Sequence, residues 1–244
     1  MNVCQIQLLQ VWKIINLNLM KQLPPVSVKE LIERAETLAG KTLQHIATIQ
    51  DRELPDHLAT AKGMIGELIE DYLGASAGSL PEPDFQEIGV ELKTIPINKD
   101  GKPKESTYVC VVSLLPDESA HWDTSLVKRK LSRVLWVPVE ADRSIPLAMR
   151  RIGTPLLWSP TPQQEEILRQ DWQELMNMVM TGELEQVSSS HGRYLQIRPK
   201  AQNARSLQSG VDTDGNIIKT LPRGFYLRTS FTHTILTTGY ENHQ

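Results

Sequence analysis

Three charged residues in one short stretch of the chain could do chemistry together. Asp84 is followed, after a gap of six residues, by Glu91, and Lys93 comes two positions later. Two carboxylates and an ammonium suggest a metal-dependent phosphodiesterase site, because carboxylate oxygens are ligands that Mg²⁺ prefers. The alternative is a simple Glu/Lys ion pair on a half-exposed strand, since Glu-x-Lys alone is a common pattern.

The alternation around these residues predicts a strand. Ile88, Val90 and Leu92 are apolar and alternate with the polar positions, so a period of two places Glu91 and Lys93 together on the opposite face. A carboxylate and an ammonium beside a buried strand must pair, reach solvent or bind an ion. Two charges therefore share one side of one strand.

Further carboxylates occur on a predicted helix upstream, over residues 62–73, whose apolar residues have the spacing of a single buried face. Glu67, Glu70 and Asp71 lie on this helix. A solvated helix face is the interpretation we keep for Glu67 and Asp71. Residues 74–79 are rich in Gly, Ala and Ser and predict a loop that could approach a phosphate backbone closely.

The remaining elements predict an α/β protein with a mixed central sheet flanked by helices. Capping boxes predict helix starts at Ser27 and at Thr161, the second followed by a proline at the first helical position. Asp100-Gly101 predicts a hairpin turn. The predicted strands after that turn are residues 107–115, a central strand; 131–139, with Pro138 at a sheet edge or exit; 195–200; and 221–227.

Composition excludes several classes of protein. A chain of 244 residues with 40% hydrophobic and 23% charged residues is typical of a soluble globule of one large domain or two closely packed lobes, not of a disordered chain or a membrane bundle. The net charge of -3 argues against a protein that coats nucleic acid by bulk charge. We expect a cytoplasmic protein that does not contact membranes.

The C-terminal part of the chain has a different charge balance. From His191 onward there are seven cations against three anions, which is a footprint expected for phosphate contacts, although a solvated face is an equal alternative. Arg198 and Lys200 share one face of a predicted strand, and arginine is suited to bidentate contacts with guanine. Tyr226 could place its ring against a base. The alternatives are a basic surface pair and a tyrosine at the rim of the core.

The acidic pattern resembles the PD-(D/E)xK motif of restriction-endonuclease-like nucleases. Longer segments extend this likeness: LGASAGS at 73–79, GVELKTIPI at 89–97, RSIPLA at 143–148, TPLLWSP at 154–160, LQIRPKA at 195–201 and TLPRGFYL at 220–227. With these segments, the chain resembles the MutH family of DNA mismatch-repair endonucleases from about Pro24 to Phe231.

The resemblance implies a restriction-endonuclease-like fold in which two lobes form a DNA cleft. It implies a Mg²⁺-dependent endonuclease that nicks the unmethylated strand of double-stranded DNA at hemimethylated GATC sites. Activation would come from the mismatch-repair ATPase MutL and indirectly from MutS. We expect the protein to act as a monomer.

The chemistry and the resemblance together assign roles to the acidic residues. Asp84 and Glu91 are expected as Mg²⁺ ligands, and the resemblance adds Glu70, either directly or through water. Lys93 would lie close to the scissile phosphate. We favour electrostatic stabilisation by its ammonium over general-base catalysis, because neighbouring carboxylates favour the charged form of a lysine.

The assignment of DNA contacts and of domains completes these expectations. The expected DNA-binding residues are Arg198, Lys200, Tyr226, Lys62 and Arg223. Residues 1–19 are interpreted as an N-terminal extension, with a translation start at Met20 as a hypothesis. Residues 20–244 would form a single nuclease domain with an N-terminal catalytic lobe and a basic C-terminal lobe that reads DNA.

Two other classes of function stay open. A type II restriction endonuclease that cuts both strands at a GATC-like site would have the same catalytic core. A non-catalytic DNA-binding module would lack one of the acids or the lysine. The chain retains Asp84, Glu91 and Lys93, which favours an enzyme over that module.

Overall fold

The computed structural model describes residues 22–55, 63–115, 117, 120–188, 190–200 and 207–242. These residues form six α-helices: α1 (Val28–Glu36), α2 (Leu43–Ile49), α3 (Met64–Leu73), α4 (Leu126–Leu131), α5 (Pro162–Met180) and α6 (Thr229–Glu241). Their eight strands are β1 (Glu91–Ile97), β2 (Thr107–Val111), β3 (Val134–Glu140), β4 (Leu156–Trp158), β5 (Leu195–Pro199), β6 (Gln208–Val211), β7 (Ile217–Thr220) and β8 (Arg223–Leu227). No helix in these ranges is long and apolar enough to cross a membrane.

The strands form two three-stranded sheets and one hairpin. The first sheet has the order β1-β3-β4 and is mixed, because β1 runs parallel to β3 and β4 runs antiparallel to it. The second sheet, β2-β8-β5, is antiparallel, and β6 pairs with β7. The predicted α/β class with a mixed sheet and flanking helices is confirmed, but the strands are divided between separate sheets.

The first sheet lies between two apolar cores. Val134 and Trp136 of β3 belong to the core that includes α5 and the second sheet, whereas Leu135 and Val137 belong to the core formed with α1, α2 and α3. Alternate residues of a strand face opposite sides, so β3 is covered on both faces and is apolar throughout. Because β1 lies beside β3, it is held in place by both cores.

The predicted hairpin turn at Asp100-Gly101 is confirmed as a short local one, with Gly101 at φ +73°, an antiparallel bridge between Ile97 and Pro103, and an Asn98 N–H donated to the Lys102 carbonyl oxygen at 2.9 Å. The pairing does not extend into the strands on either side, because β1 pairs with β3 and β2 pairs with β8. The predicted central strand over 107–115 is β2, an edge strand that ends at the half-exposed Val111. A turn motif predicts a local reversal of the chain, whereas the pairing partner of each strand depends on distant residues.

The predicted ends of two strands also needed correction. The strand expected from Ile88 begins at Glu91, because Gln86–Ile88 is a 3₁₀ turn that ends at Gly89 with φ +62°. Pro138 lies inside β3, the central strand of its sheet, rather than at an edge or exit. It is accommodated there because β4 pairs only with Val134–Trp136, so the proline comes after the end of that pairing.

Helix α5 formed as its sequence predicts. Thr161 accepts a hydrogen bond from the Gln164 backbone N–H, and the Gln164 side chain accepts one from the Thr161 N–H, which is the predicted capping box. Trp172 and Met176 are buried against the second sheet, as expected for core residues. The helix therefore supports the sheet that contains the predicted DNA-binding residues.

Candidate active site and nucleic-acid interface

The loop between Asp84 and β1 is closed by its own backbone. Phe85 and Val90 donate N–H groups to each other's carbonyl oxygens, at 2.9 and 3.2 Å. This short bridge folds the intervening turn back, so the Asp84 Oδ2 accepts the Leu92 N–H at 2.8 Å. Asp84 is thus fastened to the strand that carries Glu91.

The small-residue loop supports Asp84 from its other side. The N–H groups of Ser76 and Ala77 donate to the Asp84 carbonyl oxygen at 2.9 and 3.2 Å. This loop follows α3, which ends at Gly74 in the left-handed conformation with φ +83°. The structure therefore joins the helix of Glu70, the loop and β1 into one unit.

Glu91 is the most buried charged residue of the site, with 1% of its surface exposed. Its Oε1 accepts from the Lys93 Nζ at 2.5 Å, and the Lys130 Nζ lies 3.0 Å from Oε1 and 2.9 Å from Oε2. Lys130 belongs to α4, which packs against β2. A second ammonium, from a distant part of the chain, thus completes the pairing of a buried carboxylate.

The acids of the site disfavour one another's charges. Burial, with the nearby Asp84 carboxylate, raises the pKa of Glu70 to about 7. Burial, with the charge of Glu91, raises the pKa of Asp84. The three predicted acids therefore form one coupled electrostatic cluster, and a bound cation would favour their charged forms.

Lys93 keeps its proton in this environment. Burial acts to lower the pKa of its ammonium, but the charge of Glu91 and the hydrogen bond to it act in the opposite direction, and the net shift is upward. A lysine with a raised pKa is a poor general base near neutral pH. Its ammonium is instead a fixed positive charge within the acidic cluster.

The donor set fits a hard cation in its chemistry, because Glu70, Asp84 and Glu91 supply only oxygen ligands. Among the described residues, however, no group of three or more His, Cys, Asp or Glu side chains is assembled closely enough to hold an ion. Both carboxylate oxygens of Glu91 accept hydrogen bonds from lysine ammonium groups instead. The cluster therefore contains suitable ligands for a metal ion, but in this structure the Glu91 carboxylate is paired with two ammonium groups.

A second group of predicted residues lies on the antiparallel sheet. Tyr226 of β8 is paired with Tyr108 of β2 on one side and with Gln196 of β5 on the other, so the three side chains form a row across one face. The rings of Tyr108 and Tyr226 are 5.3 Å apart and nearly edge-on. The opposite face of this sheet is buried in the core.

The two predicted basic residues lie over this row of rings. The Arg198 guanidinium is 5.9 Å from the Tyr226 ring centroid and donates to the Ser106 Oγ at 2.6 Å. The Lys200 ammonium is 4.7 Å from the Tyr108 ring centroid and 3.0 Å from its hydroxyl. Two exposed cations supported by aromatic rings form a surface suited to phosphate groups and base edges.

Gly224 gives the two rings room to meet. A Cβ at this position would lie 2.9 Å from an atom of the Tyr108 ring, too close to be tolerated without a shift, and 3.1 Å from one of the Tyr226 ring, a tight contact. The glycine of the segment PRGFYL is therefore explained by the aromatic pair. A side chain there would force the Tyr108 ring to shift and so disturb its contact with Tyr226.

Comparison with known proteins gives the family. A family model described as "DNA mismatch repair enzyme MutH" matches residues 73–171. The chain is 51% identical over 213 residues to the DNA mismatch repair protein MutH of Escherichia coli O6:K15:H31, covering 87% of this chain and 93% of that protein. The chain belongs to the MutH family.

Other members of the family are similar over the same extent. The DNA mismatch repair protein MutH of Yersinia enterocolitica is 52% identical, covering 87% of this chain and 93% of that protein, and that of Vibrio parahaemolyticus is 51% identical, covering 90% and 97%. The protein is therefore a DNA mismatch repair endonuclease, an enzyme that hydrolyses DNA. The alternative of a non-catalytic DNA-binding module is wrong, because the family is one of endonucleases. The family also favours a repair endonuclease over a restriction enzyme.

The structure brings together some of the predicted DNA-binding residues and not others. Arg198, Lys200 and Tyr226 come together on one exposed face. Arg223 does not join them as a free cation, because its guanidinium donates to the Glu185 carboxylate at 2.7 Å and its side chain is only 14% exposed. Lys62 lies outside the described residues.

Sequence reasoning missed two residues of this MutH-family structure. Lys130 lies 39 positions after Glu91 on a short helix, and its sequence neighbours Lys128 and Arg129 are also basic, a pattern typical of a solvated charge run. Tyr108 lies near the start of the strand predicted as central over residues 107–115, and that prediction gives it no separate role. A signal for Tyr108 was available, because a polar-ended aromatic at a strand end often lies at a surface.

Proposed function

We propose that this MutH-family endonuclease is Mg²⁺-dependent and nicks the unmethylated strand at hemimethylated GATC sites when MutL activates it, with MutS acting through MutL. We further propose that it works as a monomer in the cytoplasm. The observation that carries the proposal is the meeting of Asp84, Glu91 and Lys93 at the start of β1, with Glu70 in the same electrostatic cluster.

The acids supply the part of the site that would hold the metal. Asp84, Glu91 and, directly or through water, Glu70 would be its ligands. Bound Mg²⁺ would activate water, neutralise charge on the phosphoryl oxygens and assist the leaving 3′ oxygen. Rigid support matters here, because ligands displaced by about 1 Å lose catalytic geometry. The backbone hydrogen bonds around Asp84 provide that support.

Lys93 would provide positive charge at the reacting phosphate. Its ammonium is fixed by Glu91 at 2.5 Å before any substrate arrives. A preorganised charge of this kind stabilises charge that develops in the transition state and needs no rearrangement during the reaction. The raised pKa of Lys93 supports this role over proton abstraction.

The exposed face of the second sheet would read the DNA. Arg198 and Lys200 would contact guanine edges and phosphates, because both cations are exposed and both are supported by tyrosine rings. Tyr226 would detect the methyl group on adenine N6, which lies in the major groove. Catalysis would then take place at β1, and DNA recognition would take place on β5 and β8.

A nicking assay tests this function. Duplexes carrying one GATC site, with each strand separately labelled, would be prepared unmethylated, hemimethylated on either strand and fully methylated. We expect Mg²⁺-dependent nicking of the unmethylated strand, little nicking of fully methylated DNA, and stimulation by MutL with ATP.

Asp84→Asn is the matched inactive control, because it keeps the size of the side chain and removes its charge. Concerted cutting of both strands of hemimethylated DNA would contradict the nicking assignment. Full activity with EDTA would contradict the metal assignment. Nicking rates that do not respond to MutL would contradict MutL as a partner and leave the nicking and metal assignments in place.

A further inference from the structure

The Glu91 carboxylate has ammonium groups on both of its oxygens. Lys130 spans the two oxygens at 3.0 and 2.9 Å, whereas Lys93 contacts only Oε1. The side chain of Lys130 is 12% exposed and that of Glu91 is 1% exposed. Lys130 thus forms a nearly buried, two-point pair with a residue expected to bind metal.

This geometry matters because a cation held by both oxygens of a carboxylate would lie where the Lys130 ammonium lies. Ammonium hydrogens and a metal ion use the same oxygen lone pairs. A buried carboxylate without a counter-charge is costly, so a metal-free protein needs such a cation. A metal-loaded protein with the same lysine in place would carry more positive charge than Glu91 can pair.

We infer that Lys130 is a built-in counter-ion for Glu91, and that a divalent metal binding at Glu91 displaces the Lys130 ammonium from the carboxylate. The inference rests on the metal site of the proposed function. Lys130 is the lysine that leaves, because it comes from α4 and reaches Glu91 only through tertiary packing. Lys93 lies on the same strand and keeps its place when the Lys130 pair opens.

Two consequences follow from the exchange. The metal-free protein stays stable at its acidic cluster, and metal affinity is lowered by the energy needed to open the pair. Lys130 is a positioning residue here, acting through Glu91. Removing its ammonium should tighten metal binding even as it weakens the metal-free fold.

Titration with Mn²⁺ in the absence of DNA tests the exchange, because its readout does not depend on catalysis. Free Mn²⁺ would be measured by electron paramagnetic resonance for the wild-type chain, Lys130→Gln, Glu91→Gln and the double variant. We expect Lys130→Gln to bind Mn²⁺ about tenfold more tightly, the size of a coupling between contacting residues. In the Glu91→Gln background, Lys130→Gln should change the affinity by less than about twofold.

Arg129→Gln is the matched control. It removes a positive charge from the adjacent position of the same helix, but its guanidinium pairs with Glu82 at 2.8 Å and not with Glu91. We expect its Mn²⁺ affinity to stay within about twofold of wild type, as for an exposed ion pair. Equal tightening in Arg129→Gln and Lys130→Gln would show a general field effect and overturn the inference.

Lys130→Arg covers the case in which Lys130→Gln does not fold. It keeps the charge and can still pair with both oxygens, so its Mn²⁺ affinity should equal or fall below that of wild type. Tighter binding by Lys130→Arg, or unchanged binding by folded Lys130→Gln, would overturn the exchange.

The metal site itself is checked separately with Asp84→Asn. If wild type shows no saturable Mn²⁺ binding that this variant weakens, the proposed metal site fails, and the exchange fails with it. If that binding is present but the Lys130 and Glu91 substitutions act independently, only the exchange fails.

Discussion

The acidic cluster at β1 and the basic face of the β2-β8-β5 sheet handle charge in opposite ways. Glu91, Lys93 and Lys130 are nearly buried and paired with one another. Arg198 and Lys200 are exposed and rest on tyrosine rings. A buried charge must be matched within the protein, whereas an exposed cation is already solvated and can exchange water for phosphate at small cost.

The acidic cluster is therefore a rigid region, whereas the basic face is an adaptable one. The acidic cluster is fixed by backbone hydrogen bonds at Asp84 and by ion pairs at Glu91. Such a region suits catalysis, which depends on geometry. The basic face, which carries Tyr108 and Tyr226 and is called the tyrosine face below, exposes polar groups that DNA can contact as it approaches from solvent. Substitutions in the acidic cluster should therefore lower the nicking rate, whereas substitutions on the basic face should change DNA recognition.

Loss of an acid or lysine at β1 should give the largest effect. Asp84→Ala and Lys93→Ala should each lower the nicking rate by on the order of 100-fold or more, because each removes a group acting on the reacting phosphate. Binding of GATC DNA should change little, since the recognition face is untouched. Single-turnover nicking and a DNA-binding titration would show the split, and near wild-type rates in either variant would contradict the site.

Glu91→Ala should differ from these two variants in one respect. It should abolish nicking and also lower the melting temperature, because Lys93 and Lys130 are left as buried ammonium groups without a partner. The double variant Asp84→Ala/Glu91→Ala should be no slower than either single variant, since residues acting as a unit are not additive.

Substitutions on the tyrosine face should change recognition and spare the chemistry. Tyr226→Ala should reduce the preference for the unmethylated strand by about tenfold to a hundredfold, the value of one good base contact of about 1–3 kcal/mol. Arg198→Ala should weaken nicking at GATC on any methylation background. Strand-resolved nicking of hemimethylated and fully methylated duplexes at fixed salt measures both.

Gln196→Ala is a matched control for Tyr226, because it changes the paired residue on β5 and leaves the ring in place. If Tyr226→Ala keeps the wild-type strand preference, the ring serves packing against Tyr108, and another residue reads the methyl group.

Glu70 should give a smaller catalytic effect than Asp84. If it binds metal through water, solvent can partly replace it, and Glu70→Ala should lower the nicking rate by about tenfold, within the range for indirect ligands. Rates measured at saturating Mg²⁺ make the comparison. Inactivity equal to that of Asp84→Ala would make Glu70 a direct ligand.

The smallest effect is a pH dependence of stability in the metal-free protein. The pKa of Glu70 is about 7 in the folded protein against an ordinary value of 4.5, so the folded state binds the proton more tightly than the unfolded state. The stabilising contribution of protonated Glu70 is present below the ordinary pKa and is lost as pH rises through about 7. Melting temperatures of wild type and Glu70→Gln with EDTA, between about pH 5 and about pH 8, should differ in slope over that window.

Added Mg²⁺ should reduce this difference by stabilising the charged carboxylate. Parallel curves for the two proteins in EDTA would show that the environment of Glu70 does not favour its protonated form. In that case the carboxylate charges of the acidic cluster would interact more weakly than the comparison with the tyrosine face assumes.

Short-range features of this protein followed from the sequence alone. The strand period placed Glu91 and Lys93 on one face, and the Thr161 capping box started α5. The alternation of β5, continued one residue past its end, put Arg198 and Lys200 over the same pair of rings. These features depend on residues within about one turn or two strand positions of each other, where backbone geometry leaves few choices. The family resemblance carried the assignment of Glu70.

Long-range partners were decided only by the tertiary structure. The sequence did not predict that β1 pairs with β3, that Lys130 closes on Glu91, that Tyr108 meets Tyr226 or that Glu185 holds Arg223. Each of these contacts joins segments that are distant along the chain. Their choice depends on how the two cores pack around the first sheet, because burial brings unlike charges together and excludes the water that would otherwise solvate them.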